Sequence, residues 1–235
     1  MIVDSHCHVG RSISGLAVSD PERVLEEQRD AAVDYTIVFP LDSKDPYFKT
    51  LNKLVYSLAK NPSIIGFMRF NPRINISEFV KEHADNYDGI KIHPRNSDTS
   101  VNEFRDVVIA AEEHDLPVIF HSNKEVMTAY EPVFKEFNKV KLIAAHGTAY
   151  KPYKEFYKKY KNLYYDTSIK MSPMSMKRLA EIDPNRILFG SDYPYSTPSI
   201  ERMRVKLCPP EYLSTHEKNL ILGLNAAKLF KLGKT

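Results

Sequence analysis

Ile2-Val3-Asp4-Ser5-His6-Cys7-His8 opens apolar and closes on two histidines one residue apart. Working outward from it, short runs of the same kind recur at residues 35–40, 64–70, 89–93, 117–121, 141–146, 163–167 and 187–191; with residues 2–7 they number eight. Most are rich in Val, Ile, Phe or Tyr and nearly continuous in apolar character, as expected of strands buried on both faces of a parallel sheet. Segments of helical period lie between them. Ser19-Asp20-Pro21-Glu22 supplies a cap-type residue and a first-turn proline for one, and further helices are expected over residues 46–60, 76–86, 101–114, 124–138, 150–161, 175–182 and 215–232. Eight βα units with right-handed crossovers predict an α/β fold, a (β/α)₈ TIM barrel forming a single compact domain over residues 1–235. A doubly wound open sheet is the alternative, but it usually has fewer strands and often a glycine-rich phosphate loop, and neither GxGxxG nor GxxxxGK[ST] occurs.

The 235 residues suit a compact barrel, for which about 250 is typical. Lys plus Arg number 33 and Asp plus Glu 30, a net charge of +3 that gives no reason to expect nucleic acid or a membrane as the main partner. Residues 151–161 are lysine-rich, yet Tyr153, Phe156, Tyr157 and Tyr160 interleave, which reads as a solvated amphipathic helix. Two cysteines, Cys7 and Cys208, cannot build a disulfide framework or a CxxC zinc cluster. With no basic leader before Ile2 and no apolar run of about 18 residues, the expected compartment is the reducing cytoplasm.

The polar residues fall on this rhythm at one end. His6 and His8, His93, His121, His146 and Asp192 all stand at or just after the carboxyl ends of runs, the face on which parallel barrels carry their active sites. Residues two apart on a strand point the same way, so His6 and His8 can reach one ion while Cys7 points outward. Imidazole suits Zn, Fe, Ni or Mn, and a carboxylate adds a hard oxygen. A lone strand-end histidine is more often a core or capping residue than a ligand. Five of the eight histidines at strand ends, with an Asp-Tyr-Pro turn after the last, favour a metal site; His83, His114 and His216 lie in or near helices and read as packing or surface residues.

Val3-Asp4-Ser5-His6-Cys7-His8, Gly89-Ile90-Lys91-Ile92-His93-Pro94, Ile119-Phe120-His121, Ala145-His146-Gly147 and Phe189-Gly190-Ser191-Asp192-Tyr193-Pro194 together resemble the amidohydrolase superfamily. They are most similar to its amidohydrolase-related branch, which also holds decarboxylases of the aminocarboxymuconate-semialdehyde type. The resemblance spans residues 3 to 194 in the family's order. It implies one divalent metal, Zn²⁺ first with Mn²⁺, Fe²⁺ or Ni²⁺ as alternatives, bound by His6, His8 and His121, with Asp192 as a further ligand or close neighbour. It makes Asp192 and His146 catalytic, with Asp192 moving protons and His146 beside the metal, either as a ligand or polarising the substrate and orienting water. It implies a small-molecule substrate and allows a homodimer, an assembly common in that branch.

In the fourth run many superfamily members carry a carboxylated lysine or a glutamate that bridges two metals. Here Lys91 lies one layer below His93 and is expected to fill the barrel or form an internal ion pair there, or to reach the substrate. His93 is expected against the substrate or a ligand, or bonded to a loop carbonyl. Arg69 either grips a substrate carboxylate or pairs with a helix acid. Tyr193, Tyr195 and Arg11 are candidates for the mouth, Asp166 for a partner of a ligand, and Asp4 for holding a histidine or capping a strand. The residues therefore predict a metal-dependent hydrolase of an amide, lactone or ester-like bond, with a metal-dependent decarboxylase as the alternative. A TatD-type or PHP-type phosphoesterase would want a glutamate or further histidines where this chain has Lys91, His93 and Asp192-Tyr193-Pro194. A non-enzymatic barrel would be expected to have lost a ligand position, and none is missing.

Overall fold

In the computed structural model, which describes residues 1–94, 99–169 and 171–233, alternate residues of each strand divide between two apolar cores. In the strand Tyr35–Pro40 (β3), Ile37 and Phe39 belong to an inner cluster and Val38 to an outer one. In Ile64–Arg69 (β4), Ile65 and Phe67 face in, while Ile64 and Met68 pack against the helices. This two-residue period, buried on both sides, produces the continuous apolar runs of the sequence. Full burial of each such side chain contributes about 1.5–3 kcal/mol.

The remaining strands are Val3–Arg11 (β1), Val18–Ser19 (β2), Gly89–Ile92 (β5), Val118–His121 (β6), Leu142–Ala145 (β7), Leu163–Asp166 (β8) and Ile187–Leu188 (β9). The sheet runs β2-β1-β3-β4-β5-β6-β7-β8-β9, with every pair parallel except β1 with β2. The eight expected strands are all present, and β2 is an addition. It arises because β1 continues past His8 to Arg11 and turns back, with Ser12 closing the turn through its backbone and hydroxyl to Ala17. The curled sheet closes where the chain after β9 meets β1. Ser5 N–H donates to Phe189 O (2.8 Å), Asp192 N–H to His6 O (2.7 Å), and His8 N–H to Tyr193 O (2.8 Å). The eight parallel strands thus form the TIM barrel. Leu229, Phe230 and Leu232 pack against the inner cluster from the other end.

The helices depart from the expected ranges where local chemistry breaks them. Residues 124–138 form two helices, Lys124–Ala129 and Glu131–Glu136, because Pro132 has no N–H with which to continue the first. Residues 215–232 form Thr215–Asn219, a π-turn Leu220–Leu224 and Asn225–Leu229. Pro198–Lys206 is a helix that the reading of the sequence did not include. No helix among the described residues is long and apolar enough to cross a membrane.

Candidate metal centre

The barrel seam builds the site. β1 sends His6 and His8 inward, and Cys7 between them joins the outer core, as strand parity requires. The hydrogen bonds that tie β1 to the chain after β9 carry Asp192 to the same place. Asp192 (φ 61°) and His146 (φ 60°) both follow their strands in the left-handed region. Such residues cost on the order of 1–3 kcal/mol each and persist only where neighbours hold them. Asp192 N–H is held by His6 O at 2.7 Å, and His146 N–H by Asp166 Oδ1 at 2.9 Å. Asp4 braces the seam: its Oδ1 accepts from His6 N–H (3.1 Å) and Ser191 N–H (2.8 Å).

The outer nitrogens of both β1 histidines are committed. His6 Nδ1 lies 2.7 Å from Asp166 Oδ2, and His8 Nδ1 lies 3.3 Å from Pro40 O. Both partners are acceptors, so each Nδ1 carries the hydrogen and each Nε2 turns a lone pair into the cluster. The two Nε2 atoms are 3.3 Å apart and lie 3.0 and 3.2 Å from Asp192 Oδ1. Three acceptors at such distances repel one another unless positive charge lies among them. Among the described residues, His6, His8 and Asp192 form the group whose donor atoms all lie within 4.8 Å of one another, and all three are buried. Two imidazoles, a carboxylate and an open cavity side fit a divalent ion.

The local field agrees. Burial alone would raise the Asp192 pKa, but His6 and His8 hold it well below the usual carboxylate range. Burial and Lys91 lower the His6 pKa, yet Asp166 and Asp192 outweigh them and the net shift is upward, so positive charge is favoured at this ring. Burial pushes His8 down to about 3 and keeps it neutral, the form that ligates.

A cavity of ≈ 260 Å³ opens onto this cluster. His146 lies on its wall with Nε2 3.9 Å from Asp192 Oδ2. Ser168 Oγ donates to Asp166 Oδ1 (2.5 Å) and accepts from His146 Nδ1 (2.9 Å), which leaves His146 Nε2 unprotonated on the cavity side. Burial lowers the His146 pKa to about 4. The sequence reading missed Ser168; a hydroxyl two residues past a strand-end Asp was the available signal. Asp166, expected there as a partner of a ligand, contacts His6.

Other expected residues divide. His93, Arg69, Lys91 and Tyr195 line the cavity. His121 also lines it but stands outside the compact donor group, because β6 lies across the barrel from β1. Its ring stacks on His93 (centroids 4.1 Å) and lies 4.8 Å from that of His146. Lys91 corrects the expectation of an interior ion pair: among the described residues no carboxylate lies within 4.0 Å of its amine. Its long stem instead carries Nζ up to 3.4 Å from His6 Nε2, over the Phe39 ring at 4.4 Å, and burial lowers its pKa to about 7. Among the described residues Arg69 likewise pairs with no helix acid. Its Nη1 donates to Pro40 O (2.9 Å) and its guanidinium lies over Phe48. Tyr193 is not at the mouth: with Asp192 turned inward, Tyr193 packs outward in the helix-side core, facing Arg23. Arg11 is exposed at the end of β1 and does not line the cavity.

A curled parallel sheet with imidazoles and a carboxylate at its carboxyl rim defines a metal-dependent barrel enzyme. The Amidohydrolase family (Amidohydro_2) matches residues 3–232, and the chain belongs to that family. No curated protein matches it. Solved structures of the same fold include 5-carboxyvanillate decarboxylase LigW from Sphingomonas paucimobilis (15% identity, 98% of each chain, TM-score 0.73). They also include a probable 2-pyrone-4,6-dicarboxylic acid hydrolase from Acinetobacter baumannii with citric acid bound (13% identity, 98% of this chain and 99% of that one, TM-score 0.72). A third is 2,6-dihydroxybenzoate decarboxylase from Rhizobium (14% identity, 99% of each, TM-score 0.71).

Proposed function

We propose that this protein is a cytoplasmic metal-dependent hydrolase of a small-molecule amide, lactone or ester-like bond, with one Zn²⁺ held by His6, His8 and Asp192 and with His121 on the facing wall as a further ligand. The observation that carries the reading is the convergence of three buried ligand-type side chains, two imidazoles and a carboxylate, at the floor of an open cavity. The bound ion would polarise the substrate carbonyl and lower the pKa of a water to about 7. Within this chain, Asp192 Oδ2 and His146 Nε2, 3.9 Å apart, form the pair that takes and returns the proton. Ser168 Oγ accepts from His146 Nδ1 and donates to Asp166 Oδ1, which fixes the His146 ring, so its Nε2 lone pair stays aimed at the cavity. Arg69, Lys91 and His93 orient the substrate.

A decarboxylase is the second reading, favoured by two basic side chains that line the cavity, Arg69 and Lys91, and by the decarboxylase names among the fold neighbours. The same proton pair would then protonate carbon as carbon dioxide leaves.

Elemental analysis of purified, reconstituted protein should find one divalent ion per chain, and His6→Ala and Asp192→Asn should abolish it and turnover while far-ultraviolet circular dichroism stays native. A wild-type chain without stoichiometric metal would end both readings. Carbon dioxide release against acid and alcohol or amine release, on a panel of aromatic carboxylates and lactones, separates the two.

A further inference from the structure

A second cavity of ≈ 170 Å³ adjoins the metal cavity and shares Asp42, Arg69 and His93 with it. The rest of its lining is mainly apolar, Ile13, Phe48 and Phe70, with Ser43 and Asn71. At ≈ 260 Å³ the metal cavity alone is below the roughly 300 Å³ at which drug-sized ligand sites begin; the side lobe brings the whole into that range. Arg69 stands at the junction. It is 3% exposed, and of its five N–H donors the structure commits Nη1 to Pro40 O. Arg69 lines both cavities. Among the described residues no carboxylate lies within 4.0 Å of it; Asp42, the acid whose charge reaches it, accepts from Ile13 N–H at 3.0 Å. A buried guanidinium without a carboxylate is expensive to keep and fits planar anions two oxygens at a time.

We propose that Arg69 is the carboxylate anchor of a two-lobed substrate site, and that the substrate is a carboxylic acid with an apolar arm seated between Ile13, Phe48 and Phe70, its reacting end lying in the metal cavity. The inference rests on the functional reading above, in that it takes the metal cavity as the place of reaction, and it names the class of substrate for that site.

The test is calorimetric titration of the metal-loaded protein with 4-butylbenzoate, benzoate and the neutral 4-butylbenzamide. Wild type should bind 4-butylbenzoate at least tenfold more tightly than the amide. Arg69→Met should erase that preference, and Arg69→Lys should keep part of it. Ser43→Phe, which narrows the side lobe from its rim, should bring 4-butylbenzoate to within twofold of benzoate. Equal affinity of wild type for acid and amide overturns the proposal, as does a preference that survives Arg69→Met in a chain of native circular dichroism. If Arg69→Met does not fold, the wild-type comparison and Arg69→Lys still decide. Repeating the titrations after chelation separates the two claims. A preference that needs Arg69 but no metal supports the anchor even where the metal reading fails. A preference that vanishes with the ion alone assigns the carboxylate to the metal and removes Arg69 from the role.

Discussion

His6 shows at the scale of one residue how the site is set. Its Nε2 faces the metal cluster and its Nδ1 is gripped by Asp166, whose own pKa is held below the usual range by the charge and hydrogen bond of His6 despite full burial. Asp166 fixes the tautomer of the ring and, with an ion bound at Nε2, would act on it by raising ligand basicity. Asp166→Asn keeps an acceptor for Nδ1 but removes the charge. Metal affinity, measured by competition with a chromophoric chelator, should fall 10–100-fold with the ion still able to bind. Unchanged affinity would show that Asp166 serves only the fold. Cys7 provides the counter-case. It lies between two ligands in sequence, yet its thiol is in the helix-side core and burial pushes its pKa well up. Cys7→Ser should leave metal content unchanged, and loss of metal there would mean that Cys7 reaches the ion.

The helix Pro198–Lys206 works one level up, because it braces two loops that line the cavity. Glu201, 2% exposed, accepts from Ser196 Oγ–H at 2.8 Å, next to Tyr195, and pairs with Arg204 at 3.0 Å. Arg204 in turn donates to Ile169 O at 2.6 Å, and Tyr195 and Ile169 both face the substrate space. Glu201→Gln keeps the serine contact and releases the arginine. Slack lining loops should raise KM several-fold while kcat changes less; a fall in kcat alone, in a chain of unchanged melting temperature, would contradict the brace. This helix also shows where sequence reading stops. Thr197-Pro198 carries a cap and a first-turn proline, both legible start signals. Its apolar residues, however, are on the wrong side: Ile200 and Met203 are exposed while Glu201 is buried, so hydrophobic periodicity points away from the true inner face. The strands were legible because burial on both faces leaves an apolar run whatever the helices do. The shared inward orientation of His6 and His8 followed from strand parity alone. Lys91 and Tyr193 were not legible in the same way, because the reach of a long stem and the left-handed turn at Asp192 are not written in any alternation pattern. The Ser168 relay depends on a loop that folds back after β8.

At the scale of the whole molecule, the proposed metal ligands straddle the place where the barrel closes. His6 and His8 belong to the first strand and Asp192 follows the last, and the seam between them is held by a few backbone hydrogen bonds and the pairing of Cys7 with Tyr193. An ion bound by all three side chains therefore ties residue 6 to residue 192, and ligation in the folded state alone stabilises the whole barrel. With free ion at about 100 times its dissociation constant, that linkage contributes about 2.7 kcal/mol. For a chain of this size each kcal/mol moves the melting temperature by roughly 2–4 °C. Chelation should then lower the calorimetric melting temperature by about 5–11 °C, and added Zn²⁺ should restore it. Asp192→Asn, which leaves the backbone seam able to form but removes the charged ligand, should melt at a temperature that neither chelator nor added metal moves. If the wild-type melting temperature ignores chelation, or the variant responds as wild type does, the ion does not bridge the seam, and the histidines of β1 and the carboxylate after β9 have been brought together for some other reason.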